Sequence, residues 1–142
     1  MPPEKPAPGS SLDWLRRARS DLALARAPLP QDALYNELCF HAQQAVEKSL
    51  KAVLVHHGVE FRKVHYIDYL MGLLPADVAL PPEAAEAVGL TSYAVMSRYP
   101  GDYEEVTEEA YQEAVQLAQA VFAWAEQIVH APAAKRSGDK SE

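Results

Sequence analysis

Cysteine is nearly absent: Cys39 is the only one in 142 residues, so no internal disulfide forms and a reducing, cytoplasmic compartment is expected. The simplest role for Cys39 is a small buried hydrophobe within a helix. No apolar run reaches membrane-spanning length and the N-terminal stretch has no h-region, so no membrane association is expected. Asn-Gly and Asp-Gly hairpin pairs are missing, as are alternating apolar–polar runs, which argues against β structure. Positive charge is scarce in the second half. From Leu74 to Ala134 the only Lys or Arg is Arg98, set against ten carboxylates from Asp77 to Glu126. With a net charge of −7, the chain as a whole does not resemble a nucleic-acid binder, although a local cationic groove remains open.

Catalytic signatures are also lacking. No Glu-x-x-His occurs, and Glu37 and His41 are four apart rather than three, which excludes a di-iron carboxylate bundle. One cysteine excludes a structural zinc site, and the adjacent His56 and His57 point about 100° apart on a helix, so no metal site is expected. No Gly-x-x-x-x-Gly-Lys loop exists. Cys39 and His41 lie two apart and cannot face one another on a helix. No catalytic residue and no cofactor are assigned.

What is present is helix-forming composition, 49% apolar and led by Ala, Leu and Val. Residues 1–10, with four prolines and a glycine, read as a disordered tail, and residues 132–142 as another. Residues 11–131 read as one domain. Its first helix runs from Leu12 to about Ala27, capped by Ser11 or Asp13 and closed by Pro28 and Pro30. The central helix spans Leu34 to Gly58, with the glycine placed for a left-handed stop. Leu34, Leu38, Ala42, Ala45, Val46, Ser49, Ala52 and Val53 fall on one face of it. A third helix starts near His65 and carries Ile67, Leu70, Leu73 and Leu74. Pro82 suits the first turn of a fourth, extending to about Tyr99. Thr107 caps a fifth that ends near Ala131, with Glu108 and Glu109 answering its dipole. The expectation is an all-α, up-and-down helical bundle of four to five helices.

Two polar constellations stand out. His41, Gln44, Lys48 and Lys51 line one flank of the central helix within an arc of roughly 80°. Such a flank suits a polyanion, although Lys48 and Lys51 also have an ordinary use in pairing with Glu47, four residues before Lys51. The second is Tyr93, Arg98, Tyr99 and Pro100. Arg98 either forks onto a phosphate or carboxylate or caps free carbonyls at a helix end.

The block Cys39-Phe40-His41-Ala42-Gln43-Gln44-Ala45-Val46-Glu47-Lys48-Ser49-Leu50-Lys51-Ala52 resembles the core helix of the HEPN domains, named for higher eukaryotes and prokaryotes and for nucleotide binding. Ser20-Asp21-Leu22, His65, Leu90-Thr91-Ser92-Tyr93 and Arg98-Tyr99-Pro100-Gly101 follow in the order such domains have, so the resemblance covers roughly Leu12 to Ile128. It implies a bundle of about five helices, a homodimer, and a minimal nucleotidyltransferase partner in a toxin–antitoxin-like pair. It also implies a nucleotide or RNA site drawing on His41, Gln44, Lys48, Lys51, His65, Arg98 and Tyr99. HEPN ribonucleases carry an Arg followed four to six residues later by a His. Here Tyr103 stands five after Arg98, the next histidine is His130, and Arg62 and His65 are too close together. A phenol with an ordinary pKa of about 10 is a poor general base at neutral pH. A non-catalytic binding module is therefore expected, the alternatives being a ribonuclease toxin that recruits His41 or His65 and a purely structural interaction scaffold.

Overall fold

The computed structural model describes residues 5–89 and 105–131, and among these there are five helices and no strand. They are α1 (Ser11–Ala25), α2 (Tyr35–His56), α3 (Ile67–Gly72), α4 (Pro82–Ala87) and α5 (Glu108–Val129). The fourth helix expected from the sequence continues to Tyr99, but its stretch from Leu90 lies outside the described residues, as do residues 1–4 and 132–142 of the two tails.

Each helix starts where its local chemistry allows. Ser10, rather than Ser11 or Asp13, caps α1: its hydroxyl accepts from the Asp13 N–H. Asp13 in turn accepts from the Gly9 N–H at 2.9 Å, and Arg16 and Arg17 close on it from one turn later. The Gly9 N–H and both guanidinium groups hold its carboxyl below the ordinary aspartate range. Thr107 caps α5 by accepting from the Ala110 N–H, and Pro82 occupies the first turn of α4. Gly58 takes φ +73 after α2, the left-handed stop read from the sequence. Asp32 also has a positive φ, 68°, so the turn into α2 rests on a non-glycine left-handed residue.

Helices α1, α2 and α5 form the body. The Tyr111 hydroxyl of α5 donates to the Ala25 carbonyl at the end of α1, and Arg19 of α1 pairs with Glu126 near the end of α5, so these two run antiparallel. Tyr35 stacks on Tyr111, which places the starts of α2 and α5 together and makes them run the same way. The buried Asn36 side chain reinforces this by accepting from the Val106 N–H. Ala18, Ala25, Ala42, Ala45, Ala52, Ala114, Ala118 and Ala125 are all buried at the helix contacts. Their small side chains let the axes approach toward the close end of the usual 8–10 Å. Leu15, Leu50, Leu54, Ile67, Leu70 and Val121 fill the remaining space, each such buried chain contributing about 1.5–3 kcal/mol.

α2 is more deeply set than its periodicity predicts. Leu38 through Val53 of the expected face are buried, but so are Cys39, Gln43, Glu47, Leu50, Lys51 and Leu54, because neighbours pack on several sides. Leu34 is the exception on the expected face: it is the N-cap residue and stays 44% exposed.

Candidate functional site

The polar flank of α2 folds against α1 and the segment entering α3, where two carboxylates organise it. Asp21, on α1, faces two of the flank residues at once. Its Oδ1 meets His41 Nδ1 at 3.0 Å and its Oδ2 meets Lys48 Nζ at 2.6 Å. Glu47, within α2, is 1% exposed at its side chain and accepts from four groups. Lys51 Nζ and His65 Nδ1 each lie 2.9 Å from Oε2, while the Gln43 and Gln44 amides donate to Oε1 at 3.2 and 3.3 Å. A buried carboxylate is tolerable only when its lone pairs are met in this way.

The two carboxylates divide the flank into halves of different character. In the first, Lys51 is 6% exposed and its ammonium sits 5.1 Å from the Trp14 ring and 5.6 Å from the Phe61 ring, besides pairing with Glu47. This is an enclosed cation with an aromatic surround. His65 alone opens this half, its ring 71% exposed beyond the Glu47 contact. The other half is open: His41 is 32% and Lys48 25% exposed, with the Phe40 ring edge-on to His41 at 5.6 Å. Gln44 stands between the halves, its amide N–H groups directed to Gln43 and Glu47.

Of the residues singled out by sequence, His41, Gln44, Lys48, Lys51 and His65 are thus brought into one seam, with Lys51 turned inward. Arg98 and Tyr99 lie outside the described residues. Sequence reasoning assigned no site role to Asp21, which reaches its partners from another helix, or to Phe40. Arg62 lies over the Tyr69 ring at 4.9 Å, away from this arrangement. Cys39 is buried, and burial pushes its thiol up to about 11, so it is inert as a nucleophile. Among the described residues no three His, Cys, Asp or Glu side chains gather as metal ligands, and no helix is long and apolar enough to cross a membrane.

Chemically, the seam holds two imidazoles by Nδ1 and leaves the outer edge of each ring available. A carboxylate only accepts, so the hydrogen in each contact belongs to the imidazole.

Comparison with known proteins gives this seam a family. The HEPN domain model matches residues 11–128. The candidate toxin MJ1304 of Methanocaldococcus jannaschii is 29% identical over 125 residues, 77% of this chain and 81% of that protein. The crystal structure of TT1696 from Thermus thermophilus superimposes with a TM-score of 0.73 at 32% identity, covering 84% of this chain and 98% of that one. ST0689, an archaeal HEPN homologue, gives 0.65 at 30% identity with the same coverage. The seam lies wholly within the matched residues, and the chain belongs to the HEPN domain family.

Proposed function

We propose that this chain is the HEPN half of a toxin–antitoxin-like pair, a module that binds a nucleotide or RNA at the α1–α2 seam and works beside a minimal nucleotidyltransferase without cutting RNA itself. The observation that carries the binding role is the half-open arrangement of His41 and Lys48 on Asp21. It offers a fixed ring edge and a partly exposed ammonium whose remaining N–H groups reach a phosphate. His65 and Gln44 extend the surface, and by family resemblance Arg98 and Tyr99 add a fork and a ring. Lys51 takes no direct part, because it is enclosed with Glu47.

Against cleavage stands the sequence after Arg98, which has no histidine before His130. A second reading, a ribonuclease toxin, draws on the likeness to the candidate toxin MJ1304 and recruits His41 or His65 as its base. A homodimer assembled in the cytoplasm is the expected working form. Co-expression with a minimal nucleotidyltransferase encoded beside this gene tests the partner claim. A tagged copy of this chain should retain that protein stoichiometrically through gel filtration, at an elution volume that requires two copies of this chain. Recovery of the chain alone, or as a monomer, would contradict it.

A further inference from the structure

The outer side of α5 carries no charge over three turns. From Ala114 to Ala125 there is no Asp, Glu, Lys or Arg, in a chain of which 23% is charged. Yet Gln116 and Ala123 are exposed there, and Val115, Gln119 and Ala120 are half-buried. Solvated helix faces carry charges, so this one suits contact with another polypeptide. Beside it runs a groove against α1. Two adjoining hollows of about 410 and 330 Å³ share Arg26 and Gln119, which makes them one continuous channel. Leu22 and Phe122 line the first, Tyr111 and Val115 the second. Arg19 and Arg26 reach the channel from α1, about 140–160° around that helix from Asp21, so it lies on the far side from the seam.

The polar groups of the groove are unevenly used. Arg19 pairs with Glu126 at 2.7 Å and lies over the Phe122 ring. Among the described residues the exposed Arg26 guanidinium meets no carboxylate, and the Gln116 and Gln119 amides have no hydrogen-bond partner. A two-fold contact with a second copy would set Arg26 against an identical groove whose carboxylate already holds Arg19. A partner helix brings no bare backbone N–H or C=O to the glutamines. An extended segment does, and a glutamine amide answers such groups with a donor and an acceptor. Arg26 stands where the hollows join, so a carboxylate upon it has chain running to both sides and belongs to an internal Asp or Glu. Alternate residues of an extended chain point the same way about 6.7 Å apart, so those two before and two after the acid are about 13 Å apart. Gln112 and Phe122, toward the two ends of the groove, are separated by about 15 Å along α5. We propose that the α1–α5 groove docks an extended segment of a partner protein. Its acidic residue meets Arg26, its backbone meets Gln116 and Gln119, and apolar residues two positions to either side enter the hollows. This surface is separate from the nucleotide or RNA site proposed above.

The test is an array of acetylated nonapeptides probed with the full chain. Each carries a central Glu, Gln or Lys flanked by apolar residues two positions away, or, in a second set, three and four positions away. The tightest binder is then measured by isothermal titration calorimetry. Glu-centred peptides of the first set should be retained, and exchanging that Glu for Gln should weaken binding about tenfold, the worth of one charge-assisted pair. Arg26→Gln should abolish the difference and Arg26→Glu should transfer the preference to Lys-centred peptides, both with the parent's circular dichroism spectrum. Single-stranded RNA should not displace the peptide. Preference for the second set assigns the groove to a helix, and a dimer that Arg26→Glu dissociates in sedimentation assigns it to a second copy. Either result overturns the inference. So does displacement by RNA, retention indifferent to the central residue or to Arg26, or retention of no peptide at all.

Discussion

Glu47 and Lys51 give the sharpest energetic prediction, because both are enclosed and each is the other's counter-charge. At 2.9 Å and an effective dielectric of about 20 their attraction is about 6 kcal/mol, largely offset by the desolvation of both groups. Glu47→Gln preserves shape and removes the charge, which leaves the Lys51 ammonium 6% exposed among Trp14, Phe61 and neutral amides. Removing one partner of a buried pair costs about 3–5 kcal/mol, whereas replacing both with groups of similar volume is nearly neutral. Urea unfolding followed by far-UV circular dichroism reads this directly. With an m-value of about 2 kcal/mol/M, the midpoint of Glu47→Gln should fall by about 1.5–2.5 M. Lys51→Met should fall less, because Glu47 keeps His65 and two glutamine amides. The double variant should recover most of the loss, giving a coupling of about 2 kcal/mol or more. A Glu47→Gln variant within about 0.5 kcal/mol of the parent, as for an ordinary surface change, would refute the claim that the Glu47–Lys51 pair is enclosed.

Three further outcomes follow from local chemistry. Thr107→Ala removes the hydroxyl that accepts from the Ala110 N–H and should cost about 1 kcal/mol in the same unfolding assay, the usual worth of such a cap. The Asp13 carboxyl is held below its ordinary value chiefly by the Gly9 N–H, so its contribution is present above the unfolded pKa of about 3.9 and lost as pH falls through the lower folded value. The melting temperature of Asp13→Asn should therefore lie below the parent's at pH 7 and converge with it in strong acid. Cys39 is buried with its thiol pushed up to about 11, so a disulfide reagent at pH 8 should react slowly with the folded chain and at once in urea.

Much of the fold was legible because its signals are local. The cap at Thr107, the proline opening α4 and the left-handed Gly58 each declare a helix boundary within a few residues. Ala42, Ala45, Val46, Ser49, Ala52 and Val53 fell on the buried face that their period requires. Leu34 did not, because a cap residue has left the helical geometry on which the period depends. The site was legible only in part. His41, Gln44, Lys48 and Lys51 were visible as a flank, since their spacing belongs to one helix. Glu47 was visible only as the partner of a solvated lysine, because its enclosure comes from α1 and from the segment carrying His65. Asp21 lies twenty residues before His41 and twenty-seven before Lys48, a pairing that exists only once α1 and α2 dock.

The central claim, binding of RNA at the seam without cleavage, is tested most directly by one titration with two readouts. A labelled single-stranded oligoribonucleotide is titrated with the purified chain at low salt in the presence of a chelator, following anisotropy and then strand length on a denaturing gel. The account predicts saturable binding that weakens as salt rises, a strand that stays full length, and loss of binding in Lys48→Ala with the helical spectrum retained. A shortened strand that becomes full length again in Arg98→Ala, or no binding at any concentration, would contradict it.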